Sequence, residues 1–139
     1  MNSFIKLRIS GDGLNLQEIT DQLGLLPSHT SRKGDAFISR WRHEKIIYQE
    51  DCWLAEHEPS EGAKLELEIE HFATQLKPSA AYLKSLSEKY NVTFWISAYP
   101  EGEQANVHIT AKTIGILSEL GATLDCSMAF LKEFYDGKY

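Results

Sequence analysis

The chain opens with the stretch Phe4-Ile5-Lys6-Leu7-Arg8-Ile9-Ser10, which is followed at once by Gly11-Asp12-Gly13. Apolar and polar side chains alternate through the first stretch, and this period of two predicts a half-buried strand. The glycines that follow permit the positive φ angles of a tight turn. We therefore predict a strand with one face in the core, which leads by a sharp turn into the next element.

A capped helix is predicted directly after this turn. Asn15 is placed to cap it, and Glu18 lies three residues later, where it completes a capping box. Leu14 and Ile19 have the spacing of a hydrophobic staple, and Gly24 is a natural terminator. The first 24 residues therefore predict a strand, a turn and a helix in that order.

The rest of the chain predicts further strands and helices. Strands are expected at 37–43, 46–54, 92–99, 105–109 and 122–130, and 27–35 is expected to be a loop. Residues 65–70 fit a strand or a helix, and the continuation to Lys77 favours a helix that Pro78 ends or kinks. Ser79 and Thr110 are placed to cap two more helices, the last with an apolar stripe and a glycine stop: Ile114, Leu117, Leu120 and Gly121.

This order of elements predicts an α+β fold. About three to four helices would pack on a mostly antiparallel sheet, in a ferredoxin-like fold or a related α/β sandwich. At 139 residues, the chain has the length of one domain covering 1–139.

Charge is unevenly distributed along the chain. The net charge is −6, which argues against nucleic acid as the main partner, because phosphate binding needs an excess of cations. Residues 28–45 nevertheless hold five cations and two acids, giving +3, while residues 50–70 hold eight acids and one base. The sequence leaves open whether the basic or the acidic segment has a function.

The composition predicts a cytoplasmic protein. The N-terminal residues lack the pattern of a signal peptide, and no apolar stretch approaches the length of a membrane span. Cys52 and Cys126 lie far apart in apolar, strand-like surroundings, which favours two buried free thiols over a disulfide.

No pattern of catalytic, metal-binding or cofactor-binding residues is visible. The five histidines are isolated in sequence, neither cysteine has a neighbouring ligand, and no GxSxG nucleophile turn occurs. Gly11-Asp12-Gly13 lacks the third glycine of a dinucleotide fingerprint, and Asp12 would repel a phosphate. We therefore expect no catalytic residue, no metal and no cofactor, and binding is favoured over catalysis.

Cations and an aromatic side chain alternate in the basic segment. Arg32-Lys33-Gly34-Asp35 and Arg40-Trp41-Arg42-His43 could serve an anionic ligand or stacked bases. The alternative is a strand with Trp41 in the core and Arg40 and Arg42 in solvent. Trp53 and Trp95 are expected in the core as well.

An ordered set of short sequences resembles the DUF4279 family of bacterial domains of unknown function. The set comprises Ile9-Ser10-Gly11-Asp12, Glu18-Ile19-Thr20, Leu23-Gly24-Leu25, Pro27, Arg32-Lys33-Gly34-Asp35, Trp53-Leu54, Leu76-Lys77-Pro78 and Leu120-Gly121-Ala122-Thr123-Leu124-Asp125. The resemblance implies one small bacterial domain and assigns no mechanism. It singles out the following positions: Gly11, Asp12, Arg32, Lys33, Gly34, Asp35 and Trp53.

Two functional hypotheses follow. The first is a protein-binding module, which in a narrower form is an inhibitor or immunity-type protein that neutralises a basic partner through acids of residues 50–70. The alternative is a module that senses a small anion or nucleotide with residues 28–45. The candidate binding residues are Asp12, Arg32, Lys33, Asp35, Arg40, Arg42 and Trp53. A homodimer through an exposed edge strand is a further open alternative.

Overall fold

The computed structural model describes residues 2–39, 43–60, 62–99 and 106–129. Its strands are β1 (Asn2–Gly11), β2 (His29–Ser31), β3 (Ala36–Ile38), β4 (Lys45–Ile47), β5 (Asp51–His57), β6 (Asn91–Tyr99) and β7 (Thr123–Met128). Its α-helices are α1 (Leu16–Leu23), α2 (Leu65–Leu76), α3 (Ala80–Ser87) and α4 (Ala111–Leu120). The predicted α+β class is confirmed. No helix in these ranges is long and apolar enough to cross a membrane.

Five of the strands form one mixed sheet in the order β2-β5-β1-β6-β7. β1 is antiparallel to both β5 and β6, β2 is antiparallel to β5, and β7 is parallel to β6. A parallel neighbour requires a crossover connection, and α4 lies in the connection from β6 to β7. The sheet is therefore mostly antiparallel, as predicted, with one parallel strand at its edge. Within the described part of the chain, β3 and β4 pair only with each other and form a separate hairpin.

The core lies between the helices and one face of the sheet. Ile5, Leu7 and Ile9 of β1 are buried, as the alternation predicts. Leu7 lies opposite Ala55 on one side and Phe94 on the other. The same buried cluster includes residues of all four helices, so the central strand is covered along its length.

The predicted start and end of α1 are confirmed. The side chain of Asn15 accepts a hydrogen bond from the Glu18 N–H at 3.1 Å, and Gly24 ends the helix at φ 65°. Ile19 is buried, and Trp53 donates from Nε1 to the hydroxyl of Thr20 at 3.0 Å. The helix is thereby fixed against β5.

The helical interpretation of residues 65–76 is also confirmed, and Pro78 lies in a short 3₁₀ turn, Lys77–Ser79, that joins α2 to α3. Ser79 makes no side-chain capping bond. Thr110 does cap α4, accepting from the Thr113 N–H at 3.2 Å. The predicted stripe of α4 is partly wrong, because Ile114 is exposed while Thr113 and Ile116 are buried.

Several predicted strand boundaries are wrong. Residues 29–31 form β2 where a loop was predicted, and residues 106–110 form no strand. The predicted strand 46–54 is two strands, β4 and β5, separated at residues 48–50. The predicted strand 37–43 is β3, while residues 40–42 lie outside the described ranges.

The face of the sheet away from the helices is partly open. Trp95 lies on this face instead of in the core, with the ammonium of Lys6 5.4 Å from its ring centre and its Nε1 donating to the Ser127 hydroxyl at 3.3 Å. Its neighbours Phe94 and Ile96 point to the core, so the alternation of β6 places Trp95 on the opposite side. Both cysteines are free, but only Cys52 is buried; Cys126 is exposed on β7, contrary to expectation.

Candidate functional site

A buried carboxylate joins three segments that are distant in sequence. Asp51, at the start of β5, accepts hydrogen bonds from the backbone N–H groups of Gly13 at 2.9 Å and Leu14 at 3.1 Å. It also accepts from the Lys33 N–H at 2.8 Å and from Arg32 Nη1 at 3.1 Å. We call this arrangement the Asp51 junction.

The Asp51 junction contains most of the positions that the sequence singled out. Arg32 donates a second bond to the Leu14 carbonyl at 2.6 Å, so its guanidinium bridges two of the three segments. Asp35 accepts from the Arg32 N–H at 2.8 Å and closes the loop that carries both residues. Lys33 extends its ammonium to within 3.6 Å of the Asp12 carboxylate. These side chains hold the fold together, so Arg32 and Lys33 already have anionic partners.

The hydrogen bonds to Asp51 determine its protonation. The N–H of Lys33 contributes most to lowering the pKa of Asp51 below its usual 3.8, with Leu14, Gly13 and Arg32 acting in the same direction and burial opposing them. A carboxylate that accepts several N–H bonds is stabilised in its charged form. The junction is therefore built around a permanent negative charge at neutral pH.

The hairpin of β3 and β4 starts from this junction. The Gly34 N–H donates to the Tyr48 carbonyl at 2.9 Å, and the Tyr48 N–H donates to the Asp35 carbonyl at 2.9 Å. The Tyr48 ring lies 4.9 Å from the Phe37 ring, and its hydroxyl oxygen lies 3.0 Å from Nε2 of His29. One side of the hairpin is thus attached to the body of the protein.

The other side of the hairpin is exposed. Its residues are Ala36, Ile38, Lys45 and Ile47, which pair across the two strands in the order Ala36 with Ile47 and Ile38 with Lys45. Paired residues share a face, and we call this one the outer hairpin face. Ile38 is 73% exposed and Ile47 49%, so two large aliphatic side chains lie together on this exposed face of the hairpin.

The remaining predicted site residues are divided between the core and the undescribed part of the chain. Trp53 is fully buried, so its place is in the core. Arg40 and Arg42 lie outside the described residues. The sequence reasoning missed Asp51, which it counted only as one of eight acids. An acid at the first position of an otherwise largely apolar strand is the feature that could have identified it.

The acidic segment does not form a continuous acidic surface. Asp51 and Glu68 are buried. Glu50 lies 3.7 Å from Arg8, and Glu70 lies 3.2 Å from Lys112. Much of the charge counted in residues 50–70 is therefore balanced within the protein.

A cleft of about 430 Å³ lies between the start of α1 and the end of α3. The Tyr82 hydroxyl donates to Glu18 at 3.4 Å, and the Tyr90 hydroxyl donates to the Gly13 carbonyl at 3.4 Å. Burial, followed by the Glu18 carboxylate, raises the pKa of Tyr82 to about 12, so the phenol stays protonated. Glu88 and Lys89 also line the cleft.

The histidines are less isolated than the sequence predicted. His57 and His71 are separated in sequence by a loop and the first six residues of α2, yet their imidazole rings lie 5.9 Å apart. The carboxylate of Glu68 lies beside them, 2.6 Å from Nε2 of His57. Within the described part of the chain, His57, Glu68 and His71 are the side chains that could jointly bind a metal ion.

The chain belongs to the DUF4279 family. The sequence profile of this family, Domain of unknown function (DUF4279), matches residues 2–131, which is nearly the whole chain, and it confirms the resemblance inferred from the ordered short sequences. No curated protein and no solved structure matches the chain.

Proposed function

Starting from this membership, we propose that the protein is a non-catalytic protein-binding module that docks its partner with the outer hairpin face. The observation that carries the proposal is the exposure of Ile38 and Ile47 on a hairpin that pairs with no other strand among the described residues. A two-stranded hairpin is only marginally stable alone. Here it is held by the Asp51 junction, which fixes its root while leaving one face free.

The chemistry of this face defines the partner. Two aliphatic side chains lie beside Lys45, which adds a positive charge to this face. They would fit an apolar groove with acidic residues at its rim, since burial of the aliphatic groups supplies affinity and complementary charge supplies orientation.

The test uses purified chain as bait in lysate of the native host. We expect the wild type to capture one protein that Ile38→Ser and Ile47→Ser variants lose, with at least about tenfold weaker affinity once that protein is purified, as for a central interface residue. Ile114→Ser is the matched control, because Ile114 is also exposed but lies on α4. Binding should also slow amide exchange in β3 and β4.

Three outcomes decide the proposal. Capture lost only in the hairpin variants supports it. Capture of the same proteins by wild type and both hairpin variants overturns it. Self-association of the wild type, abolished by Ile38→Ser, would identify a second copy of the chain as the occupant and overturn the proposed acidic-rimmed partner.

A narrower form of the proposal is an inhibitor or immunity-type protein for a basic partner. Its support is the net charge of −6 and the exposed Glu56 and Glu58 near the far end of β5. Binding of this kind would weaken steeply with salt and with a Glu56→Gln/Glu58→Gln double variant. A partner affinity unchanged by both would exclude the narrower form and leave the hairpin proposal intact.

Ligand sensing is the second candidate function, and the cleft beside Tyr82 and Tyr90 favours it. Glu18 and Glu88 in its lining favour a neutral or cationic ligand over the anion expected from the basic segment. A panel of nucleosides, amines and phosphorylated metabolites should contain a compound that raises the melting temperature. Tyr82→Phe should reduce that shift, and a flat response to the panel would exclude sensing at this cleft.

We further infer that the scaffold is ferredoxin-like. β1, α1, β2, β5, the α2–α3 pair and β6 follow the β-α-β-β-α-β order, which supports this description. The β3–β4 hairpin is then an insertion, and binding residues are often found on such additions to a rigid scaffold. A bacterial cytoplasmic location belongs to the same proposal, and the two free thiols support it.

A further inference from the structure

Three potential metal ligands converge where β5 ends against α2. Nε2 of His57 lies 2.6 Å from Oε2 of Glu68. One ligand atom from each of His57, Glu68 and His71 lies within 4.8 Å of the others. We call these three residues the His-Glu-His cluster.

The fold itself brings the cluster together. His57 lies opposite Ile5 in the sheet, and since Ile5 is buried, His57 is on the face covered by helices. Glu68 and His71 are three residues apart on α2, a spacing that places both on one side of the helix. Phe72 stacks on the His57 ring at a centroid distance of 5.0 Å and an angle of 21°, which restrains the imidazole.

The cluster has a buried end and an open end. The side chain of Glu68 is 8% exposed and that of His57 is 12% exposed, whereas His71 is exposed to solvent. A carboxylate removed from water costs free energy unless it is paired or bound to a metal. The buried pair supplies two preorganised ligand atoms, and His71 provides the third at the side from which an ion can enter.

The ligand set fits a divalent transition metal. Two imidazoles and one glutamate are the protein ligands of one class of zinc site, in which the fourth position holds water. Ligand atoms about 2.0–2.1 Å from a tetrahedral ion are roughly 3.3 Å apart. To admit the ion, the nitrogen of His57 and the oxygen of Glu68 would therefore have to move apart by less than about 1 Å from their present separation.

From this geometry we propose that the His-Glu-His cluster binds a divalent transition-metal ion of the Zn²⁺ type, with His57, Glu68 and His71 as ligands and water completing the coordination. The site is independent of the proposed partner surface. It lies at the opposite end of β5 from the Asp51 junction, roughly 20 Å away by the rise per residue of a strand.

The test is metal titration of the full chain after removal of any affinity tag. We expect one equivalent of Zn²⁺ to bind by calorimetry, and one equivalent of Co²⁺ to give a visible absorption spectrum that Zn²⁺ abolishes. His71→Ala removes an exposed ligand and should fold normally, while Glu68→Gln keeps the volume of the buried side chain. Each should weaken Zn²⁺ binding at least about tenfold.

A histidine outside the cluster provides the control. His43→Asn removes an exposed imidazole, and asparagine tolerates the positive φ of 54° at this position. Zn²⁺ affinity should be unchanged in this variant. The proposal is overturned if the wild type binds no stoichiometric metal, which would leave a simple His57–Glu68 hydrogen bond. It is also overturned if His71→Ala, shown to be folded by circular dichroism, binds Zn²⁺ as tightly as the wild type.

Discussion

The carboxylate of Asp51 connects the chemistry of one residue to the stability of three segments. Its pKa is lowered chiefly by the N–H of Lys33, so the folded state favours the ionised form. A group with a depressed folded pKa contributes stability that is present above its unfolded pKa and is lost as the pH falls through its folded pKa. The contribution of Asp51 is thus complete at neutral pH and disappears in acid.

We expect Asp51→Asn to destabilise the protein at pH 7, because an amide cannot accept four N–H groups as a carboxylate does. The difference in free energy of unfolding between wild type and variant should shrink as the pH falls below about 4. Urea denaturation from pH 2 to pH 7 measures it. Asp12→Asn is the control, since the exposed Asp12–Lys33 pair should contribute less than about 1 kcal/mol. A difference that stays constant down to pH 2 would contradict the role assigned to Asp51.

The two cysteines should differ in reactivity. Burial and the neighbouring Asp125 carboxylate raise the pKa of Cys126, so its thiolate is scarce at neutral pH although the residue is exposed. We expect a disulfide reagent to modify one thiol of the native protein, more slowly than a free cysteine and faster at higher pH. The second thiol, Cys52, should react only in denaturant. Loss of the native reaction in Cys126→Ser is the control, and rapid reaction of both native thiols would contradict the prediction.

At this scale, the sequence identified residues with local roles and missed those whose partners are distant. Asn15 and Glu18 lie three residues apart, so their capping contact follows from sequence alone. Asp51 acts on groups 37 and 38 residues away, at Leu14 and Gly13. His57 meets Glu68 and His71 only because β5 ends beside α2. Tertiary contacts of this kind leave no periodic pattern in the sequence from which they could be predicted.

At the scale of elements, two helices end in the same way but in different surroundings. α1 stops at Gly24 with φ 65°, and α4 stops at Gly121 with φ 67°. A side chain at Gly24 would meet no atom of the described residues within 4 Å. At Gly121 it would lie 2.5 Å from the Ser87 hydroxyl oxygen and 3.3 Å from the Lys84 Cα. A substitution at Gly24 therefore measures backbone strain alone, whereas a substitution at Gly121 adds a steric contact to the strain.

We expect Gly24→Ala to cost about 1 kcal/mol, the strain of a left-handed alanine. Gly121→Ala should cost a further 1–3 kcal/mol, roughly, because α3 must shift to admit the methyl group. Urea denaturation of both variants gives the comparison, with Gly24→Ala as the internal control. Equal losses would show that α3 accommodates the methyl group without cost.

The elements that the sequence predicted well are those with strong local patterns. β1, α1 and β6 follow their alternation or caps closely. In α4, Leu117 and Leu120 are buried as predicted, but Ile114 is exposed because the buried side of the helix includes Thr113, a polar residue, and Ile116. β2 was missed because three residues paired at a sheet edge carry too little pattern. The sequence did not predict that β7 lies parallel to β6, because this pairing depends on the arrangement of the whole sheet.

For the whole molecule, the count of charges gave less information than their pairing. Residues 50–70 hold eight acids, yet Asp51, Glu68 and Glu70 each contact a cation or a histidine within the fold. The basic segment likewise places Arg32 against Asp51. Net charge governs solubility and long-range steering. The exposure of the apolar side chains on the hairpin can be seen only in the folded chain.

The buried cluster predicts that the described elements unfold together. It joins β1, β5 and β6 to all four helices, with Leu7 fully buried on the central strand. We expect Leu7→Ala to cost about 2–5 kcal/mol, and exposed Leu67→Ala on α2 to change stability by no more than about 0.5 kcal/mol. In a single domain, the helical signal in circular dichroism and the tryptophan fluorescence must lose their native values at the same urea concentration, before and after the substitution. Separate transitions would show that the helices and the sheet are distinct cooperative units, and that the cluster does not couple them.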